Sequence, residues 1–120
     1  MVGRLGCVDD VVRDQTLGGA FFVASLDGEA VGCGALKDLG DGIGEIKRVW
    51  VSSSVRGLGV ASRIMDKLED VAREMGFAVL RLDTNKTLTE AHAMYRKRGY
   101  VETAPYNDNP FAHLWFERRL

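Results

Sequence analysis

The sequence predicts an α/β (α+β) domain built on a mixed, mostly antiparallel sheet, with element order β-β-β-α-β-α-β-β. Three observations carry that prediction. Apolar runs separated by glycine-bearing turns fill residues 20–51. From Ala61 the apolar spacing changes to steps of three and four. Beyond that stretch, short apolar runs and a second helical segment alternate to the C-terminus.

The elements follow in chain order. Residues 1–19 are the least patterned, and Leu17-Gly18-Gly19 closes them. Ala20 to Leu26 reads as a strand, Asp27-Gly28 as a turn, and Ala30 to Leu36 as the returning strand, since Asp-Gly between apolar runs is a hairpin signal. Leu39-Gly40-Asp41-Gly42 turns the chain into a third strand, Ile43 to Val51. Strict alternation there puts Glu45, Lys47, Val49 and Val51 on one face and Ile46, Arg48 and Trp50 on the other. Ala61, Ile64, Leu68, Val71 and Met75 then mark one face of an amphipathic helix, with Gly76 at its end. Phe77 to Leu82 reads as a buried strand. A second helix runs from Thr89 to Arg98, with Ala91, Met94 and Tyr95 inward and Gly99 ending it. Tyr100 to Thr103 and His113 to Arg118 complete the strands, around a loop from Ala104 to Pro110.

Length and composition bound the function. One hundred and twenty residues make a single domain, 1–120, and a chain of 46% hydrophobic and 28% charged residues is globular. Sixteen basic against seventeen acidic residues give a net charge of −1, which argues against nucleic acid as a partner. No apolar run approaches the ~20 residues needed to span a bilayer, and the first residues lack the apolar core of a secretory signal. Two cysteines and two histidines without ligand spacing predict no metal site. The expectation is a reduced, cytoplasmic protein.

The informative segment is Val51 to Ser62, where a strand passes through a polar, glycine-containing turn into a helix start. Free N–H groups and the dipole at a helix N-terminus favour anions, glycines allow close approach, and Arg56 adds a cation. A phosphate site and a plain strand–helix connection both fit these glycines. A Walker A loop is absent. Gly57-x-Gly59-x-x-Ser62, with Asp83 ending the next strand, only nearly matches a dinucleotide fingerprint, because Ser62 replaces the third glycine.

Arg56-x-x-Gly59-x-Ala61 after a strand ending in Val51 resembles the coenzyme loop of the GNAT superfamily of N-acetyltransferases. Glu45-Ile46-Lys47-Arg48-Val49-Trp50-Val51 before it belongs to the same resemblance. So does Ala91-His92-Ala93-Met94-Tyr95-Arg96-Lys97-Arg98-Gly99-Tyr100 after it, which is similar to the family's Ala-x-x-x-Tyr-x-x-x-Gly-[Phe/Tyr] segment. The resemblance covers about Phe21 to Leu120. It implies acetyl-CoA as cosubstrate, held by Val49, Trp50, Val51, Arg56, Gly57, Leu58, Gly59, Val60, Ala61 and Ser62. Two departures stand out. The family usually begins with a strand and one or two helices that enclose the acceptor, and only about twenty residues precede the first clear strand here. Leu88 stands where some members carry Asn.

Acetyl transfer to an amine needs a base for the ammonium, donors for the oxyanion and a proton for the departing thiolate. The resemblance makes Glu45, six residues before Val51, the base, acting from some 20 Å along the extended strand. The other reading of Glu45 is a solvated carboxylate paired with Lys47 or Arg48. Tyr95 is the acid by the same resemblance, or else an inward aromatic of its helix. Tyr106, Asn107, His113 and Trp115 could line the acceptor pocket, although core packing suits Trp115 and strand pairing suits His113. Cys33 reads as a small core residue. The function expected is transfer of acetyl from acetyl-CoA to a primary amine of a small molecule, peptide or protein, against a non-catalytic acyl-CoA-binding or sensing module. A sheet starting at Ala20 would leave apolar surface uncovered, which predicts a homodimer.

Overall fold

In a computed structural model of the chain, residues 19–26, 28–55, 57 and 59–120 are described in full and residues 5–12 by their backbone. Asp27, Arg56 and Leu58 lie outside the described residues. The turn through Gly28, at φ +84°, joins β2 (Ala20–Leu26) to β3 (Glu29–Gly40), with Phe22 opposite Gly34. A second turn at Asp41 and Gly42 leads to β4 (Ile43–Val51), where Ile46 faces Leu36. Helix α1 (Val60–Glu74) crosses to β5 (Val79–Thr84), which runs parallel to β4 with Leu82 opposite Ile46. After α2 (Thr89–Lys97) and β6 (Val101–Thr103), β7 (Leu114–Arg119) inserts antiparallel between β5 and β6.

One strand was not expected. Residues Leu5–Val12 form β1, which pairs antiparallel with β2, so the sheet does not begin at Ala20. Among the described residues the sheet is seven-stranded, in the order β1-β2-β3-β4-β5-β7-β6. The reason β1 escapes the sequence pattern is visible in its register, which shifts between Leu5 and Val8 and again between Val8 and Asp10. Each shift breaks the period of two on which strand recognition rests.

The core lies between the sheet and both helices. Ile64, Met65, Leu68 and Ala72 of α1 are fully buried, as are Leu80, Phe22 and Phe116 of the sheet. Glycines in β3 let α1 sit close: a Cβ on Gly34 would stand 2.8 Å from Ile64 and 3.0 Å from Leu68. Helix α2 packs on the same face, its Tyr95 ring 5.9 Å from that of Phe116. The opposite face carries Glu45, Arg81, Asp83 and Trp115, and the segment from Ala104 to Pro110 folds over them. Among the described residues no helix is long and apolar enough to cross a membrane.

Candidate active site

Strand β4 does not keep the strict alternation expected of it. Trp50 lies opposite Cys33 and Lys47 opposite Ala35, so Gly34 faces two residues, Arg48 and Val49. Arg48 occupies the left-handed region at φ +56°. A bulge of this kind adds one residue and exchanges the faces beyond it. Val49 and Val51 therefore pack toward the core with Ile46, while Glu45 and Lys47 stay on the face away from the helices. Cys33 is half-buried rather than a core residue, and its thiol donates to the Arg48 carbonyl at 3.3 Å across the bulge.

The bulge coincides with a parting of strands. The β4–β5 ladder ends at Ile46 and Leu82, although β4 continues to Val51 and β5 to Thr84. Between the diverging ends lies a cleft of about 350 Å³, whose walls include Arg48, Val49, Leu82, Asp83, Asn85 and Tyr95. The β5-facing backbone edge of β4 beyond Ile46 has no ladder partner and can accept an extended ligand.

Tyr95 reaches this cleft from α2 and is only 6% exposed, packed edge-on against Tyr100 and tilted against Phe116. Burial pushes its phenol up to about 12. No hydrogen bond among the described residues occupies its hydroxyl. Neighbouring His92 is buried and donates its Nε2–H to the Asn85 carbonyl at 2.8 Å, which fixes the turn at the cleft mouth.

Glu45 stands behind the cleft rather than in it. It is 3% exposed, so it is not a solvated carboxylate. Its partner is Lys47, at 3.3 Å, and the Tyr106 hydroxyl donates to it at 2.7 Å. Burial, followed by the bond to Glu45, drives the Tyr106 phenol far above the usual range, so that it stays a donor. Asn107 bridges the layers. Its Nδ2 is 3.5 Å from Glu45 and 2.7 Å from Asp83, and its Oδ1 accepts from the Trp115 indole at 3.0 Å. Asn109 gives Asp83 a second amide at 3.3 Å. Half-buried Trp115 thus anchors the loop, and exposed His113 accepts from the Lys86 N–H at 3.2 Å while its backbone pairs with Thr84.

At the far end of β4, Ser52 to Val55 makes a tight turn anchored by buried Val55, and Ser52 Oγ accepts from the Ser54 N–H at 3.3 Å. Gly57 and Gly59 both have positive φ, +81° and +76°. A Cβ at either would meet nothing within 4 Å, so open space lies before the loop. Gly59 is the N-cap of α1 and offers no side chain, and no acidic residue occupies the first turn. The N–H groups of Val60, Ala61 and Ser62 precede the first intrahelical bond, from Arg63 to Gly59, and await an acceptor. That donor set fits a pyrophosphate. Arg56 and Leu58, expected in the same loop, lie outside the described residues. Trp50, expected with them, points away from the helices and is 53% exposed, so its backbone rather than its ring borders the strand edge.

A glycine loop between a strand ending in Val51 and a helix start is what the sequence resemblance implied, and the parting of β4 from β5 beside it is added by the structure. Residues 6–100 match the Acetyltransferase (GNAT) family. The chain belongs to that GNAT family. The chain is 38% identical over 104 residues to the IAA acetyltransferase of Azospirillum brasilense, covering 83% of this chain and 67% of that protein. It superposes on the putative acyl-CoA N-acyltransferase of Klebsiella pneumoniae with a TM-score of 0.78 at 32% identity, over 94% of this chain and 80% of that one. A GNAT acetyltransferase from Elizabethkingia anophelis, solved with acetyl-CoA bound, shares the fold at a TM-score of 0.73 and 19% identity, over 85% and 76% of the two chains. The chain spans between 31% and 67% of the length of the curated relatives it matches.

Glu45, Tyr95 and the loop were the residues that the sequence singled out. The structure adds that Asp83 lines the cleft and that Asn107 and Asn109 hold it. The signal was the polar run Tyr106-Asn107-Asp108-Asn109 in the loop before the last strand, which only a fold could place over β4 and β5.

Proposed function

We propose that this GNAT domain transfers an acetyl group from acetyl-CoA to a primary amine of a small molecule or peptide, with Tyr95 as acid and Glu45 as base. The observation that carries the reading is the Tyr95 side chain, held protonated by burial, in the wall of the cleft where β4 and β5 part. A binding-only module would need neither that phenol nor Glu45, and the named relatives are acetyltransferases.

Acetyl-CoA supplies the thioester carbonyl and the thiolate leaving group. The N–H groups of Gly57, Gly59, Val60, Ala61 and Ser62, with Arg56 and Leu58 in the same loop, hold its pyrophosphate. The free edge from Val49 through Trp50 to Val51 takes the extended pantetheine arm and offers an N–H to the oxyanion. Glu45 receives the amine proton through water. Lys47 and Tyr106 stabilise its charge, and Asn107 and Asp83 lie between it and the cleft. Tyr95 gives its proton to the sulfur as the carbon–sulfur bond breaks. A free half-buried thiol at Cys33 suits a cytoplasmic location. Half-buried Phe21 and Val23, with exposed Trp50, on the face away from the helices support a homodimer.

Thiol release from acetyl-CoA over an amine panel tests the reading. Amine-dependent release supports it, and tight coenzyme binding with no release over the whole panel refutes it.

A further inference from the structure

Arg48 takes no part in the proposed acetyl transfer, yet its setting is unusual. It holds a left-handed backbone at φ +56°, a conformation disfavoured for any residue with a Cβ. Non-glycine residues persist there when the surrounding structure enforces it, often at binding sites. Arg48 lines the cleft and is exposed. The neighbouring cation, Lys47, is engaged with Glu45, and Arg81 with Glu117. The Arg48 guanidinium has no such partner among the described residues.

The same cleft carries an anion. Asp83 is held by the side-chain amides of Asn107 and Asn109, which fix its position. One cation without an ion pair and one anion without an ion pair therefore share walls with Tyr95. The mouth is apolar: Leu88 is 52% and Phe111 77% exposed, both on the cleft.

We propose that the acetyl acceptor is a free amino acid with an apolar side chain, and that Arg48 selects it by gripping the carboxylate. The α-ammonium group turns toward Asp83, beside the phenol of Tyr95. The carboxylate meets the guanidinium, whose two parallel N–H donors match its geometry. The side chain covers Leu88 and Phe111. This assignment deepens the acetyltransferase reading and rests on it. A polyamine would find Arg48 repulsive, and a peptide acceptor brings no carboxylate beside its terminal amine.

The test compares L-leucine with L-leucinamide, and with spermidine and a short peptide, in the thiol-release assay with wild type, Arg48→Gly and Arg48→Lys. Glycine adopts positive φ freely, so Arg48→Gly removes the guanidinium without straining the fold. Wild type is expected to favour leucine over leucinamide by roughly 10- to 100-fold in kcat/KM, the size of one charge-assisted contact. Arg48→Gly should erase that preference by raising the KM for leucine, with the KM for acetyl-CoA unchanged, and Arg48→Lys should restore part of it. Equal use of leucine and its amide by wild type, or a preference that survives Arg48→Gly, overturns the role of Arg48. Better turnover of spermidine or the peptide overturns the acceptor and leaves acetyl transfer standing. No turnover of any amine by enzyme that binds acetyl-CoA overturns the acetyltransferase reading and this assignment with it.

Discussion

Tyr106 and Glu45, sixty-one positions apart, are joined by a 2.7 Å hydrogen bond from the phenol to the carboxylate. The contact closes the loop after β6 over the face of β4 and removes Glu45 from water. Lys47 holds the other carboxylate oxygen at 3.3 Å. Both carboxylate oxygens of Glu45 thus depend on side-chain donors for the contacts that water would otherwise supply.

Removing the phenol should therefore be felt in both stability and rate. Tyr106→Phe leaves a buried carboxylate short of one donor, at a cost of about 1–3 kcal/mol. Glu45→Gln should lower kcat by ~10²-fold or more while sparing acetyl-CoA affinity, if Glu45 receives the amine proton. Asp83→Asn should instead raise the KM for the acceptor. Thermal unfolding measures the first effect, and steady-state kinetics separates the other two.

The loop before α1 predicts a loss of binding without a loss of fold. Gly59 has φ +76°, and a side chain there would project into open space. Gly59→Glu should cost about 1–2 kcal/mol of backbone strain. Its carboxylate would stand before the free N–H groups of the helix, where it repels a pyrophosphate. Calorimetry on the folded variant should find acetyl-CoA affinity reduced by at least ~100-fold, a difference of about 2.7 kcal/mol.

Acid stability should depend on Glu69. Burial raises its carboxyl pKa, but hydrogen bonds from Arg98 and Tyr100 and the charges of Arg98 and Arg118 outweigh this and hold it below 4.5. A group lowered in the folded state contributes stability that is fully present above its unfolded value and is lost as pH falls through the folded one. Glu69→Gln should thus lower stability at neutral pH and flatten the decline below about pH 4.5, as measured by denaturant unfolding at several pH values.

Local pattern was enough for some of this and not for the rest. Helix α1 is legible because Ile64, Leu68 and Val71 repeat at helical spacing, and the loop is legible because glycine marks its positive φ angles. Arg48 carries no such mark: its left-handed backbone follows from how β3 and β4 pair, not from its own chemistry. The burial of Glu45 depends on Tyr106, and the position of Asp83 on Asn107 and Asn109. Alternation names a face but says nothing of what covers it. The same holds for the Arg98–Glu69 pair, which ties α1 to the end of α2 across twenty-nine positions, while Arg98 also bonds Ser62 Oγ at 3.0 Å.

Tyr95→Phe separates proton donation from packing at this position. The substitution keeps the ring, its contacts with Tyr100 and Phe116, and nearly all its buried area. Only the hydroxyl is lost. Wild-type and variant enzyme should bind acetyl-CoA equally by calorimetry and unfold at similar temperatures, while kcat falls by ~10²–10⁴-fold. A variant that turns over as fast as wild type would contradict the account and leave Tyr95 as a packing residue.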